Sequence, residues 1–245
     1  MADPIFEDRR LAEIYDPLDP DRGDLEIYAA IVEEFGASRV LDVGCGTGTF
    51  ACLLVARGVE VVGVDPAQAS LEIARSKEFA ERVRWVLGDV LGDVTALPPL
   101  QVELATMTGN VAQVFVADTE WGATLHGVRD ALVPGGRFVL ETRDPARKGW
   151  LEWNRAETYQ VADIPGVGAV ETWCDVTSVE EPLVSFRHTF VFASDRAVIT
   201  SDSTLRFRSR VEVERSLESA GFVVDEVRDA PDRPGREFVF IASRG

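Results

Sequence analysis

Residues 40–48 read VLDVGCGTG, an apolar run interrupted by Asp42 that breaks into alternating glycines at 44, 46 and 48. Glycine tolerates positive φ and lets a ligand or a second backbone approach closely. The following segment, Phe50–Ala56, has helical apolar spacing and stops at Gly58, a natural C-terminal cap. The glycines therefore lie where a strand hands over to a helix, whose first N–H groups are unpaired and suit a negative group. What rests on this loop decides the fold.

Two familiar answers fit the residues poorly. A phosphate-binding loop needs Lys and Ser or Thr after its last glycine, and here Gly48 is followed by Thr49 and Phe50. A dinucleotide loop reads G-x-G-x-x-G, and Thr49 stands where its third glycine would fall. An acid two residues before the first glycine also sits badly beside a pyrophosphate.

Working outward, Val59–Asp65 reads as a second strand ending in an acid, and Pro66 with Ala67–Lys77 as a helix. Arg82–Asp89 is a third strand, also closed by an acid, and Val102–Gly109 a fourth. Thr119–Leu132 is helical with Trp121, Leu125, Val128 and Leu132 on one face, and Pro134–Gly136 turns the chain into a strand over Arg137–Arg143. This alternation predicts a parallel sheet with helices on both faces. Ligands of such sheets bind beyond the carboxyl ends of the strands, where Asp42, Asp65, Asp89 and Thr108–Asn110 all fall.

After residue 143 the character changes. Tyr159–Ile164, Ala169–Val179, Leu183–Ala193 and Ala197–Phe207 are β-like segments with turn signals and no helix between them, which predicts antiparallel pairing. Val211–Ala220 returns to helix, and Phe222–Val227 and Glu237–Ala242 read as closing strands of the main sheet. The chain thus divides as one domain over 1–245. Its parts are an N-terminal helical segment (1–38, with a helix over Leu25–Phe35), a core (39–143), an antiparallel insert (144–210) and a C-terminal helix with two strands (211–245).

A length of 245 residues with 46% hydrophobic content suffices for a full core. No stretch approaches the ~20 apolar residues of a membrane span, and the charged start, MADPIFEDRR, suits neither a signal peptide nor an anchor. A net charge of −17 repels phosphate backbones and disfavours nucleic acid as a partner. Cys45, Cys52 and Cys174 form no disulfide or metal spacing, which points to buried thiols, a reducing cytoplasm and no metal.

The pattern D-x-G-x-G-x-G closing one strand, with an acid closing the next, resembles the class I S-adenosylmethionine-dependent methyltransferases. The resemblance covers nearly the whole chain. VLDVGCGTG is similar to their first motif, VVGVD to the ribose-binding second strand, VLGDV to the adenine-binding third, and LVPGGRFVLE to their helix-turn-fifth-strand signature. LESAGF and the two strands after it resemble their C-terminus. The resemblance implies a Rossmann-like, doubly wound α/β sheet of seven strands, S-adenosylmethionine as cofactor and S-adenosylhomocysteine as product. A carboxylate such as Asp65 can accept both ribose hydroxyls. Asp89 can accept from the adenine amine, with the Val90 N–H for a ring nitrogen, and Gly44 and Gly46 let the methionyl portion lie on the backbone. By resemblance Asp42 organises the loop, directly or through water, and Tyr15 closes over the cofactor. Cys45, Gly48, Pro66, Gly88, Thr108 and Gly109 complete the residues expected around it.

Methyl transfer from a sulfonium is an in-line displacement in which positioning and desolvation carry much of the rate. No nucleophile–base pair stands out. Candidates for the acceptor pocket are Tyr15, Asn110, Arg143, Trp150, Trp153 and His188; packing under the insert remains open for the two tryptophans, and an ordinary sheet position for His188. His126 reads as a surface residue. By placement the insert is similar to the small antiparallel sheets that, in small-molecule N-methyltransferases, lid the acceptor site or mediate dimerisation. A small-molecule acceptor methylated on N or O is therefore expected, with a homodimer left open. The competing readings are a protein that binds S-adenosylmethionine without turnover and a nicotinamide-dependent oxidoreductase.

Overall fold

The computed structural model describes residues 2–90 and 100–245. Three helices open the chain: α1 (Pro4–Glu7), α2 (Arg9–Leu18) and α3 (Asp24–Glu34). The Asp8 carboxylate starts α2 by accepting from the N–H groups of Arg10 and Leu11. Strand and helix then alternate as β1 (Arg39–Val43), α4 (Thr49–Ala56), β2 (Glu60–Asp65), α5 (Gln68–Ser76) and β3 (Val83–Leu87). They continue through β4 (Val102–Met107), α6 (Asp118–Ala131) and β5 (Leu132–Arg143). A short α7 (Arg155–Thr158) leads into β6 (Gln160–Ile164), β7 (Gly168–Glu180), β8 (Leu183–Phe192) and β9 (Val198–Arg206). The chain closes with α8 (Arg210–Ser219), β10 (Phe222–Asp229) and β11 (Glu237–Arg244).

The main sheet has seven strands in the order β10-β11-β5-β4-β1-β2-β3. Pairing is parallel from β5 to β3, whereas β11 runs antiparallel to both β5 and β10. Alternation along each strand splits the core into two layers, as strands buried on both faces require. Val40, Val61, Leu104 and Val139 pack with α3 and α4. Their neighbours Leu41, Val64, Ala105 and Leu140 pack with α6 and α8. β1 lies between β4 and β2, so the strand order reverses there and the glycine loop leaves the sheet at that crevice.

One boundary differs from the sequence reading. β5 begins at Leu132, ahead of the Pro134–Gly136 turn, because Leu132 already pairs with Val102. The ladder then resumes at Leu104 and Arg137, so the predicted turn is a bulge inside the strand.

The second sheet is antiparallel in the order β6-β7-β8-β9. Its inner face carries two apolar clusters. Leu11 and Ile14 of α2 pack with Ile164, Val170, Phe190 and Phe192, and Trp150 packs with Cys174, Val184, Phe186, Leu205 and Phe207. The N-terminal helices are fastened to this sheet, with the Ile5 N–H donating to Ser201 Oγ (2.9 Å) and Arg10 paired to Asp195 (2.9 Å). Arg206 and Arg208 at the far end pair with Asp118 at the start of α6. Among the described residues, no helix is long and apolar enough to cross a membrane.

Candidate functional site

Three glycines make the loop after β1, each at positive φ and each for a different reason. A Cβ on Gly44 would lie 2.7 Å from the Val111 side chain, and one on Gly48 would lie 2.5 Å from the Trp85 ring and 2.8 Å from Ala74. Those two positions are closed by packing. A Cβ on Gly46 would meet nothing within 4 Å. Gly46 alone faces open space, and its φ of +52° keeps it in the left-handed region. Cys45 turns inward onto Leu71, Ala74 and Trp85, so only its backbone faces the loop.

The loop is held by Asp65 at the tip of β2. Its Oδ2 accepts from the Gly46 N–H and its Oδ1 from the Ala67 N–H, both at 2.8 Å. The Gly44 and Cys45 N–H groups donate to the Val64 carbonyl (2.9 and 3.2 Å). Asp42, to which the resemblance gave a role in organising the loop, accepts from Thr106 Oγ1 at 2.9 Å and so ties β1 to β4. It is 2% exposed, and burial pushes its carboxyl up to about 7.

At the neighbouring tips, the Gly88 N–H donates to the Asp65 carbonyl (3.0 Å), joining β3 to β2. Pro66 and Asp89 are exposed, while the Val90 side chain is buried in the core. Beyond β4, Gly109 (φ +67°) and Asn110 (φ +60°) turn the chain back so that both backbone N–H groups reach Glu141.

That contact opens a buried polar cluster the sequence reading did not find. Glu141 accepts from Asn110 N–H (3.1 Å) and from Tyr28 of α3, and burial followed by the nearby Glu237 charge pushes its carboxyl up to about 7. Glu237 accepts from Asn110 Nδ2 (3.2 Å) and Arg233 (2.9 Å) and lies 3.7 Å from Arg143. Arg143 donates to Gln113 Oε1 at 2.9 Å, and burial holds its guanidinium below the usual arginine value. Asn110 Oδ1 and Gln113 Nε2 are buried without a partner among the described residues. The available signal was alternation: Glu141 and Arg143 fall on the same face of β5 as the buried Val139.

The cap over the loop comes from α2, and Asp16 makes the connection. Its carboxylate accepts from Thr47 Oγ1 (2.7 Å) and pairs with Lys77 Nζ (2.6 Å). Tyr15 beside it packs 5.6 Å from Phe6, and burial pushes its hydroxyl above the usual tyrosine value. Nothing in the spacing of Asp16, Thr47 and Lys77 announces this contact.

The remaining acceptor candidates separate. Trp150 is 4% exposed and edge-on to Phe207 at 4.6 Å, a core residue rather than a pocket wall. Trp153 lies under the Arg143 guanidinium (5.6 Å) and edge-on to Phe186 (4.8 Å). His188 continues this row, 5.4 Å from Phe186 and 6.1 Å from Phe190. Its Nδ1 is buried without a partner among the described residues, and burial lowers its pKa, which keeps the ring neutral near pH 7. His126 is exposed on α6. Among the described residues, no group of three His, Cys, Asp or Glu is placed to hold a metal ion.

Comparison with known proteins bears on this geometry. Residues 40–136 match the family model described as a methyltransferase domain. The chain is 33% identical over 150 residues to the cypemycin N-terminal methyltransferase of a Streptomyces species, covering 60% of each. It is 30% identical over 124 residues to the bifunctional biotin-biosynthesis protein BioHC of Cellvibrio japonicus, 50% of this chain and 23% of that one. The chain thus spans less than two thirds of these curated relatives. Among solved structures, the CcbJ methyltransferase of Streptomyces caelestis superposes with a TM-score of 0.77 at 21% identity, over 96% of both chains. CalS10, an amino pentose methyltransferase of Micromonospora echinaspora solved with S-adenosylmethionine, gives 0.69 at 20% identity, over 95% of this chain and 97% of its own. The chain shares its fold with these solved methyltransferases, and residues 40–136 match a methyltransferase domain.

Proposed function

We propose that this chain transfers a methyl group from S-adenosylmethionine to a nitrogen of a small-molecule acceptor. The observation that carries the reading is the open side of Gly46, the one loop glycine not closed by packing, held in place by the carboxylate that would read the ribose. A carboxylate offers about four lone-pair directions. Asp65 spends two on Gly46 and Ala67, so acceptors remain for ribose hydroxyls. Asp89, exposed just beyond β3, would accept from the adenine amine, and the Val90 N–H would donate to a ring nitrogen. The unpartnered Asn110 Oδ1 supplies an acceptor for the methionyl ammonium.

When bound, S-adenosylmethionine supplies an electrophilic methyl whose bond to sulfur breaks as the bond to the acceptor nitrogen forms. The chain's residues position and exclude water. The Asp16 contacts lay α2 across the loop, and Tyr15, Arg143, Trp153, Phe186 and His188 form a continuous row from that helix to the second sheet. Nitrogen is favoured over oxygen because a neutral amine attacks without first losing a proton. The acidic surface also draws amines, and two structural neighbours, the sugar N-methyltransferase KedS8 and a 1,6-didemethyltoxoflavin N1-methyltransferase, are named for methylation at nitrogen.

Calorimetric titration with S-adenosylhomocysteine and with NADH, followed by a screen of amines for acceptor-dependent S-adenosylhomocysteine release, tests this. Binding of S-adenosylhomocysteine alone, with release on some amine, is expected. NADH binding in its place would restore the oxidoreductase reading. Cofactor binding without release on any amine would make the chain a non-catalytic binder.

A further inference from the structure

Behind the acceptor row lies a cavity of about 710 Å³, walled by the segment after β5 and by the loop between β10 and β11. Its lining includes Arg143, Arg147, Arg233 and Arg236, four of the 23 arginines of a chain whose net charge is −17. Trp153 and Arg143 belong to both this cavity and the acceptor row. Whatever fills the cavity therefore extends from the place where the methyl group is received.

The carboxylates lining the cavity are already engaged. Glu152 takes both arms of Arg236 at the rim (2.8 and 3.0 Å). Glu237, only 3% exposed, is shared by Arg143, Arg233 and Asn110, so the inner end carries two guanidiniums around one buried carboxylate. Asp232 lies 3.6 Å from Arg233. Asp144 accepts from the Ala146 N–H, and its nearest approach to Arg147 is 3.8 Å. Arg147 is the exception among the cations. Its side chain is 61% exposed and donates no hydrogen bond to any described residue. Its Nη2 nonetheless lies across the loop, 3.3 Å from where a Cβ on Gly235 would stand. That loop is itself fixed, since Asp229 accepts twice from the Gly235 N–H (2.7 and 3.0 Å) and the Arg236 carbonyl accepts from Asp144 N–H (2.8 Å).

A planar guanidinium with unspent donors is built for an oxyanion. We infer that this cavity receives the anionic end of the methyl acceptor, a phosphate or carboxylate carried away from the attacking nitrogen, with Arg147 and Arg233 as its donors. The acidic surface draws the amine end in, and the arginines select among amines those with a negative tail. This inference rests on the methyltransferase reading for its place in catalysis, but the anion site is tested without it.

Inorganic pyrophosphate and succinate serve as probes for the two kinds of oxyanion, each titrated calorimetrically at low salt into the full chain. Wild type, Arg147→Glu, and Arg187→Glu on the outer face of the second sheet are compared, and each variant is also titrated with S-adenosylhomocysteine. One or both probes should bind wild type at a single site, and the one that binds identifies the tail as phosphate-like or carboxylate-like. Arg147→Glu should weaken that binding about tenfold or more, the scale of a lost charge-assisted contact, and Arg187→Glu should leave it unchanged. Failure of both probes, or equal weakening by the two variants, overturns the inference. Loss of S-adenosylhomocysteine binding in wild type would instead overturn the methyltransferase reading and leave the anion result standing.

Discussion

At the tips of β1 and β2 the site is made of backbone and one carboxylate, and the contacts are short in sequence. Asp65 reaches Gly46 across 19 residues and Ala67 across two. In the cap the contacts are side chain to side chain or side chain to backbone, and they are long: Ile5 meets Ser201 across 196 residues and Arg10 meets Asp195 across 185. The first region demands particular residue types at fixed spacing, because only glycine takes positive φ freely beside a ligand. The second demands only that two distant surfaces fit. A cofactor site can thus be written into a short motif, while an acceptor site is assembled by packing.

The sharpest way to break this contrast is Gly46→Val. Since a Cβ there meets nothing within 4 Å, the fold should survive with the ~1–2 kcal/mol cost of a left-handed non-glycine residue. S-adenosylhomocysteine binding should be abolished in calorimetry; normal binding would show that the loop cradles nothing. Asp65→Ala comes next. It removes the ribose acceptor and frees the loop, and should weaken the same binding by roughly 2–4 kcal/mol, with circular dichroism confirming the fold.

The third effect is pH-dependent and lies in the buried cluster. Glu141 titrates at about 7 in the fold against a usual 4.5, so between these values it is protonated in the folded chain and ionised in the unfolded one. Its contribution is then full below pH 4.5 and is lost as pH rises towards about 7, by at most about 3 kcal/mol at 1.36 kcal/mol per pH step. Asp42, also raised to about 7, acts in the same direction. Urea unfolding at pH 5, 6, 7 and 8 should show stability falling with pH, and Glu141→Gln should flatten part of the fall. An unchanged slope in that variant would mean that Glu141 ionises normally in the fold.

Gly48→Ala sharpens the comparison from the other side. Its Cβ would collide with Trp85 and Ala74, so the expected loss is ~1–3 kcal/mol of thermal stability, with cofactor affinity kept once the protein is folded. Smallest is Asp16→Asn. Weakening the pair to Lys77 should cost about 1 kcal/mol and raise hydrogen exchange in α2, with faster release of S-adenosylhomocysteine. Exchange unchanged in α2 would show that the helix is held by its apolar face alone.

Much of the architecture was legible beforehand because it follows from local periodicity. The alternating strands and helices through residue 143, the four antiparallel strands and the closing pair all appear within a few residues of their expected places. The start of β5 was not legible, since a Pro-Gly-Gly turn and a bulge look alike until the neighbouring strand is in place. Trp150 and Trp153 looked equivalent in sequence, yet one fills the core and the other meets Arg143, because Trp150 sits in a single 3₁₀ turn (Gly149–Glu152) that ends before Trp153, too short for a sequence periodicity to assign their faces.

The sequence by itself determined a doubly wound sheet with a glycine loop at its crevice and acids at its strand tips. These features are set by backbone geometry and by polarity patterns that act over a few residues. Only the tertiary structure decided that Asp65 takes the Gly46 N–H while Asp42 takes Thr106, and that Asp16 ties the cap to the loop. It alone gathered Glu141, Glu237 and Arg143 at one place, with the exposed Arg233 at its edge. Those contacts depend on where strands far apart in the chain finally lie, and a carboxylate's partner is fixed by proximity after folding, which residue order does not encode.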